Sequence, residues 1–316
     1  MKVIRDYIED MIIYKESLGF ARKTYEGYLK DFASYLQVNY SKATFLTEAI
    51  VQGWCIQRIT ETATGFRRRA TALREFTKYL FAMGKSDYIL STDSFPKISR
   101  YTPYIFSDKE LMDIFVYSDR TPYVPSEPCK NLIIAVIYRL IYFCGLRPNE
   151  GRELKKCDVD FENETLLIRK NKTHQERIIP MTHDVTELCK NYSTKVSLIY
   201  PDTEYFFPSP TEKAYSAKWL TRHFLNLWNQ TCGNSNTARV RVYDLRHRYA
   251  TAIMMKWLDE KVDLYVMLPY LSTYMGHTNL SDTAYYIHLL PEKLLKTSAI
   301  DWQKFQKLIP EVCDDE

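Results

Sequence analysis

Val159-Asp160-Phe161-Glu162-Asn163-Glu164-Thr165-Leu166-Leu167-Ile168-Arg169 and, after a polar gap, Arg177-Ile178-Ile179-Pro180 form the clear β region of this 316-residue chain. Three short runs rich in Val, Ile, Leu and Thr are separated by polar turns at Glu162–Glu164 and Asn171–Gln175, the pattern of a small antiparallel sheet. Long helical patterns flank it. Upstream, Leu132 to Leu146 is nearly continuously apolar, interrupted by Arg139; that length suits a buried helix and is too short to span a membrane. Further out, Ser107-Asp108-Lys109-Glu110 reads as a capping box opening another helix. Before it, the stretch from Asp93 to Pro103 carries two prolines, which disfavour regular structure, together with Lys97 and Arg100. Residues 1–90 read as helix throughout: Val3–Leu18, Thr24–Leu36, a third helix opening at Thr47, and a fourth over Arg67–Met83 that stops at Gly84. The expected fold is mainly α with one small antiparallel β-sheet. A helical module over 1–95, a linker over 96–103, an α+β domain over 104–290 and a tail over 291–316 divide the chain.

Composition narrows the class. With 46% hydrophobic and 26% charged residues, the chain is that of a folded protein with an ordinary core. Its net charge of +4 is unevenly placed: residues 1–100 hold 16 Lys/Arg against 11 Asp/Glu, which leaves 27 against 28 in the rest. A basic excess confined to one region is compatible with a nucleic-acid surface. Seven scattered cysteines without Cys-x-x-Cys spacing argue for reduced thiols and against a zinc or disulfide framework. With no apolar leader at the N-terminus, a soluble, cytoplasmic, nucleoid-associated protein is expected.

The chemistry-bearing residues follow the fold's landmarks. Arg147 stands in Gly145-Leu146-Arg147-Pro148-Asn149-Glu150 at the end of the apolar run, and Lys172 in the β-turn. Arg246 stands in Tyr243-Asp244-Leu245-Arg246-His247, His277 in Met275-Gly276-His277, and Tyr286 in Tyr286-Ile287-His288. Tyr243 and Arg246, three apart, share a helix face in a first turn that favours anions. No acidic cluster resembles a two-metal site and no glycine-rich loop is built for phosphate, so no metal and no cofactor are expected. Cleaving a phosphodiester without metal takes an in-line nucleophile, cations on the non-bridging oxygens and an acid for the leaving oxygen. Guanidinium forks suit the second task. Taken singly, each residue has an ordinary structural explanation.

In this order and with these flanking residues, however, the set resembles the tyrosine recombinase (phage integrase-like) family, most strongly from Ser107 to His288. The resemblance implies a site-specific recombinase that cuts and rejoins DNA through a 3′-phosphotyrosyl link. It makes Arg147 and Arg246 the two family arginines, and Lys172, eight residues before Pro180, the general acid, with Lys170 a rival. It makes Tyr286, nine residues after His277, the nucleophile in preference to Tyr285, and His247 and His288 supporting residues. The departure is Tyr243, where the family usually carries His or Lys; a phenol donates a hydrogen bond but is a poor base near neutral pH. The resemblance also implies that the helical module is a core DNA-binding domain that closes a clamp on the duplex with the catalytic domain. Arg67, Arg68, Arg69 and Arg74 would then meet phosphates, with Thr64 and Thr71 nearby and Lys97 and Arg100 in the linker. Double-stranded recombination sites are the expected partner. A tetramer on two duplexes, free as dimer or monomer, is the expected assembly, with accessory proteins possible and no membrane. Leu294, Leu295, Trp302, Phe305, Leu308 and Ile309 would form a tail segment exchanged between protomers in preference to capping the core of its own chain. Two rival readings are a type IB topoisomerase-like strand religation and a DNA-binding protein that retains the fold without cleaving.

Overall fold

The computed structural model describes residues 3–93, 95–96, 101–169, 176–233 and 238–290. Chain contacts divide it into two units, Met1–Tyr101 and Thr102–Glu316.

The first unit is built from α1 (Tyr7–Ser17), α2 (Glu26–Asn39), α3 (Glu48–Trp54) and α4 (Ala63–Ala82). Thr47 is the N-cap of α3, as expected. α4 begins before the expected Arg67, because the Thr62 side chain caps it by accepting from the Gly65 N–H at 3.1 Å. Leu29, Phe32, Leu36, Trp54, Leu73, Phe76 and Leu80 meet in its core. Phe32 takes Trp54 and Phe76 edge-on at 5.2 and 6.2 Å, a favoured aromatic geometry.

The second unit combines helices with one three-stranded sheet. In chain order it has α5 (Asp108–Asp119), α6 (Lys130–Phe143), α7 (Pro148–Arg152), β1 (Val159–Asp160), β2 (Thr165–Ile168), β3 (Arg177–Pro180), α8 (His183–Ser197) and α9 (Ala217–Thr231). It ends with α10 (Val242–Asp259), α11 (Leu264–Met275), α12 (Leu280–Ala284) and a 3-10 turn, Tyr285–Leu289. The sheet runs β1-β2-β3, antiparallel throughout, with Leu166 opposite Ile179 and Ile168 opposite Arg177. The Ser107 capping box is present: Ser107 Oγ accepts from the Glu110 N–H at 3.2 Å, and Glu110 Oε2 accepts from the Ser107 N–H at 2.8 Å. The apolar run forms α6, with Ile133, Ile137, Tyr138 and Ile141 fully buried; α8 and α10 pack against it.

The run does not carry Arg147 on its own end, as its reading suggested. α6 stops at Phe143, Gly145 turns the chain with φ +57°, and Arg147 becomes the N-cap of α7, with Pro148 in the first turn. A Cβ on Gly145 would lie 2.6 Å from the Tyr249 ring, so both the turn and the packing demand glycine. Among the described residues no helix is long and apolar enough to cross a membrane.

Candidate active site

Five separate elements deliver one cationic centre. Arg147, at the α6–α7 turn, keeps its backbone N–H on Glu150 Oε2 (2.8 Å), one fork nitrogen on Glu150 Oε1 (2.8 Å) and the other on the Gly276 carbonyl (2.6 Å). Burial works against its charge, yet the Glu150 carboxylate, helped by Tyr243, moves its pKa above the ordinary arginine value. Tyr243 lies in the first turn of α10, and Arg246 one turn further on.

Arg246 is completely buried. It donates to the Gly145 carbonyl at 2.7 Å, to the Met275 carbonyl at 2.5 Å and to His277 at 3.1 Å. Its Nε is buried without a hydrogen-bond partner. Burial lowers its pKa, while Tyr286 and Tyr243 act in the opposite sense. A buried guanidinium with a donor unused is costly unless an acceptor arrives; an anionic phosphate oxygen is the natural one.

His277 follows the end of α11. Its Nε2 faces an Arg246 fork nitrogen, which can only donate, so Nε2 accepts and Nδ1–H donates to Thr283 Oγ1 at 2.7 Å. Burial first, then Arg246, Arg147 and Arg177, push its pKa down to about 3. The imidazole is therefore neutral, with Thr283 fixing the tautomer. Gly276 has two duties here. Its φ of +63° ends α11, and a Cβ would fall 2.9 Å from Arg177 Nη1.

Tyr286 is 2% exposed, on the 3-10 turn, between the His277 ring (6.0 Å, stacked) and the His247 ring (5.4 Å, edge-on). Burial pushes its pKa up to about 12, against the pull of Arg246. Tyr285 is half-buried, its ring 6.5 Å from His288, which is exposed. His247 lies between Tyr243 (5.0 Å) and Tyr286, and burial with Arg241 and Arg246 pushes its pKa down to about 4.

Arg177 is the residue that sequence reading missed. From β3 it grips Glu150 with both fork nitrogens (3.0 and 2.7 Å) and donates Nε to the Tyr274 carbonyl (2.8 Å). Burial pushes the Glu150 carboxyl up, but Arg177, the Arg147 N–H and Arg246 together bring it down to about 2. A signal was present: in Arg177-Ile178-Ile179 the strand period puts Arg177 on the side of buried Ile179, an inward place where a charge needs a partner. Thr283 had no comparable signal. Lys172 and its rival Lys170 lie outside the described residues. Among the described residues no group of three His, Cys, Asp or Glu side chains is placed to hold a metal ion.

Arg147, Tyr243, Arg152, Lys155, Arg169 and Lys213 are among the residues that line an open groove of about 1070 Å³. Several of its cations are already paired, Arg169 with Asp158 at 2.6 Å and Lys155 with Glu204.

The arginines of α4 divide. Arg67 and Arg68 are exposed and, with Lys23, Thr24, Tyr28, Thr64 and Thr71, line a concavity of about 500 Å³. Arg69, grouped with them in the sequence reading, belongs to the core and is a correction. It is 2% exposed, donates to the Trp54 (2.7 Å) and Ile56 (3.0 Å) carbonyls, and forks onto Glu61 at 2.8 and 2.7 Å. Its guanidinium lies over the Trp54 ring at 4.4 Å. A helix sends residues one apart in directions about 100° different, so a run of three arginines cannot share one face. Arg74 is half-buried, 3.9 Å from Glu75. Lys97, Arg100 and the tail residues lie outside the described residues.

Comparison with known proteins agrees with this geometry. Residues 109–293 match the phage integrase family. A Sinorhizobium fredii protein carrying the name integrase/recombinase y4rE is 30% identical over 294 residues, covering 90% of this chain and 92% of its own. The tyrosine recombinase XerD of Rhizobium meliloti is 24% identical, over 92% of each chain. Among solved structures, the site-specific recombinase XerH bound to its palindromic difH substrate, a post-cleavage complex, is similar with a TM-score of 0.66. Its identity is 18%, over 95% of this chain and 85% of that one. A lambda integrase dimer bound to a core site is similar with a TM-score of 0.62 and 16% identity, over 89% and 97%. With more than half its residues matched, and a relative aligned along nearly its whole length, the chain belongs to the phage integrase family of tyrosine recombinases.

Proposed function

We propose that this protein is a site-specific DNA recombinase in which Tyr286 attacks a DNA phosphodiester, leaving a 3′-phosphotyrosyl link and a free 5′ hydroxyl. The buried Arg246, with Nε unused and Tyr286 and His277 beside it, is the observation that carries this reading. Arg147 and Arg246 hold the non-bridging oxygens, and neutral His277 keeps the Arg246 fork in place. Lys172 protonates the leaving oxygen, and Tyr243 adds a phenol at the edge of the phosphate site. The 5′ hydroxyl of a partner duplex then attacks the phosphotyrosine and expels Tyr286. Each step exchanges one phosphate ester for another, so ATP is not required.

Double-stranded recombination sites are the partner, engaged by two copies on each of two duplexes in a tetramer, with the C-terminal segment exchanged between copies. Arg67 and Arg68 contact phosphates, supported by their exposure beside Lys23 in one concavity. Lys97 and Arg100 add charge in the linker.

Nicked suicide duplexes drawn from the DNA flanking the protein's own gene test the chemistry. The wild type should give an SDS-stable adduct that Tyr286→Phe abolishes and Tyr285→Phe retains. An adduct that survives Tyr286→Phe refutes the assignment of the nucleophile. No adduct on duplexes that the wild type binds refutes cleavage by this protein alone.

A further inference from the structure

A carboxylate is a poor neighbour for a phosphate, yet Glu150 is buried at the heart of this cationic centre. Its oxygens accept from the Arg147 N–H and fork (2.8 Å each) and lie 3.9 Å from Arg246 Nη1. Left to those two partners, the Glu150 charge would be balanced only by the guanidinium groups that the proposed reaction assigns to the phosphate. Arg177 supplies what changes this. Its two fork nitrogens lie 3.0 and 2.7 Å from the two Glu150 oxygens, and its side chain is 10% exposed. The planar fork matches a carboxylate in a way that a lysine cannot. The grip is fixed from behind as well, by the bond from Nε to the Tyr274 carbonyl and by the absence of a side chain at Gly276.

We infer that Arg177 is a positioning residue that neutralises the Glu150 carboxylate, so that its charge does not oppose the scissile phosphate that Arg147 and Arg246 are to receive. Glu150 in turn serves as a scaffold, aligning the Arg147 backbone at the α7 N-cap without setting a net negative charge against the DNA. The inference rests on the recombinase reading for the identity of the anion, and on the geometry alone for the charge arrangement.

The test compares Arg177→Gln, Glu150→Gln and the double variant with the wild type, all as full-length chains. With enzyme saturating on a suicide duplex, Arg177→Gln should slow adduct formation about 100-fold, the scale of a lost transition-state donor. Glu150→Gln added to it should restore at least tenfold, because the uncompensated carboxylate is then gone. If Arg177 touched the phosphate directly, or served only to hold the fold, removing the Glu150 charge would restore nothing. An unrestored double variant therefore overturns the inference, as does an Arg177→Gln rate equal to wild type. Should Arg177→Gln lose its cooperative melt, Arg177→Lys takes its place. It should be intermediate in rate and rescued in the same way.

A second arm needs no cleavage. In the Tyr286→Phe background, the affinity lost when a methylphosphonate replaces the scissile phosphate should shrink with Arg177→Gln and recover in the double variant. A wild type that makes no adduct would count against the recombinase reading, while this arm would still decide the role of Arg177.

Discussion

Replacing Gly276 by alanine should damage the site more than the loss of one hydrogen atom suggests. The residue has φ +63° and ψ 46°, where a Cβ costs about 1–2 kcal/mol. That Cβ would also stand 2.9 Å from Arg177 Nη1 and 3.1 Å from its Cζ. Arg177 cannot retreat cheaply, because three hydrogen bonds, two to Glu150 and one to the Tyr274 carbonyl, hold its guanidinium. Giving up one hydrogen bond made by a charged group costs about 1.5–3 kcal/mol. Together the two effects predict a loss of roughly 2.5–5 kcal/mol, or about 5–20 °C in the melting of a unit of this size. Calorimetry or near-UV circular dichroism measures it directly, and adduct formation should slow in parallel, since the Gly276 carbonyl also anchors Arg147. Gly27→Ala is the control: in α2, with nothing within 4 Å of the place its Cβ would take and no positive φ, it should be neutral or stabilise by up to about 1 kcal/mol. Melting of Gly276→Ala within about 2 °C of wild type, with an unchanged adduct rate, would refute the reasoning.

Two further outcomes separate fold from function. Arg69→Ala should lower stability by about 3–5 kcal/mol, because it removes a buried guanidinium and leaves half-buried Glu61 and the Trp54 and Ile56 carbonyls without their donor. Arg67→Ala should leave melting unchanged while weakening DNA binding and lowering its salt slope by about one, as filter binding against salt would register. The pH dependence of stability reports on His277. Its pKa is about 3 in the fold, and unfolded histidine titrates near about 6.5. Below that value the unfolded chain takes up a proton that the folded one refuses. Stability is thus full above about pH 6.5 and falls as pH drops toward 3, by on the order of a few kcal/mol. Urea melts from pH 7 to pH 4 should show this slope, reduced in His277→Gln; an equal slope in that variant would exclude His277 as its source.

Much of this was legible beforehand because it depends on local signals. The sheet could be read from three β-branched runs and their turns, and α5 from a capping box whose bonds form as drawn. The order of Arg147, Arg246, His277 and Tyr286 could be read because family spacing is a property of the chain itself. What escaped reading depends on long-range contact or direction. Arg177 meets Glu150 from a distant strand, and Thr283 meets His277 across a turn. Arg69 looks like its neighbours in sequence, and its inward direction is apparent only once α4 has a register against Trp54. Arg147 was expected at a helix end because a continuous apolar run hides the turn at Gly145, where the backbone changes hand.

Arg246 is a tie between distant parts of the chain as well as the proposed phosphate ligand, for it joins the carbonyl of Gly145 to that of Met275 from inside the protein. Selection therefore cannot trade one duty against the other. A sequence drifting away from catalysis would have to rebuild two turns before it could discard this arginine, so its presence in a relative is weak evidence of activity. The same fact guides the choice of an inactive control. Substituting Arg246 mixes chemical loss with a loosened scaffold, whereas Tyr286→Phe removes one oxygen and keeps a ring of the same shape against His247 and His277.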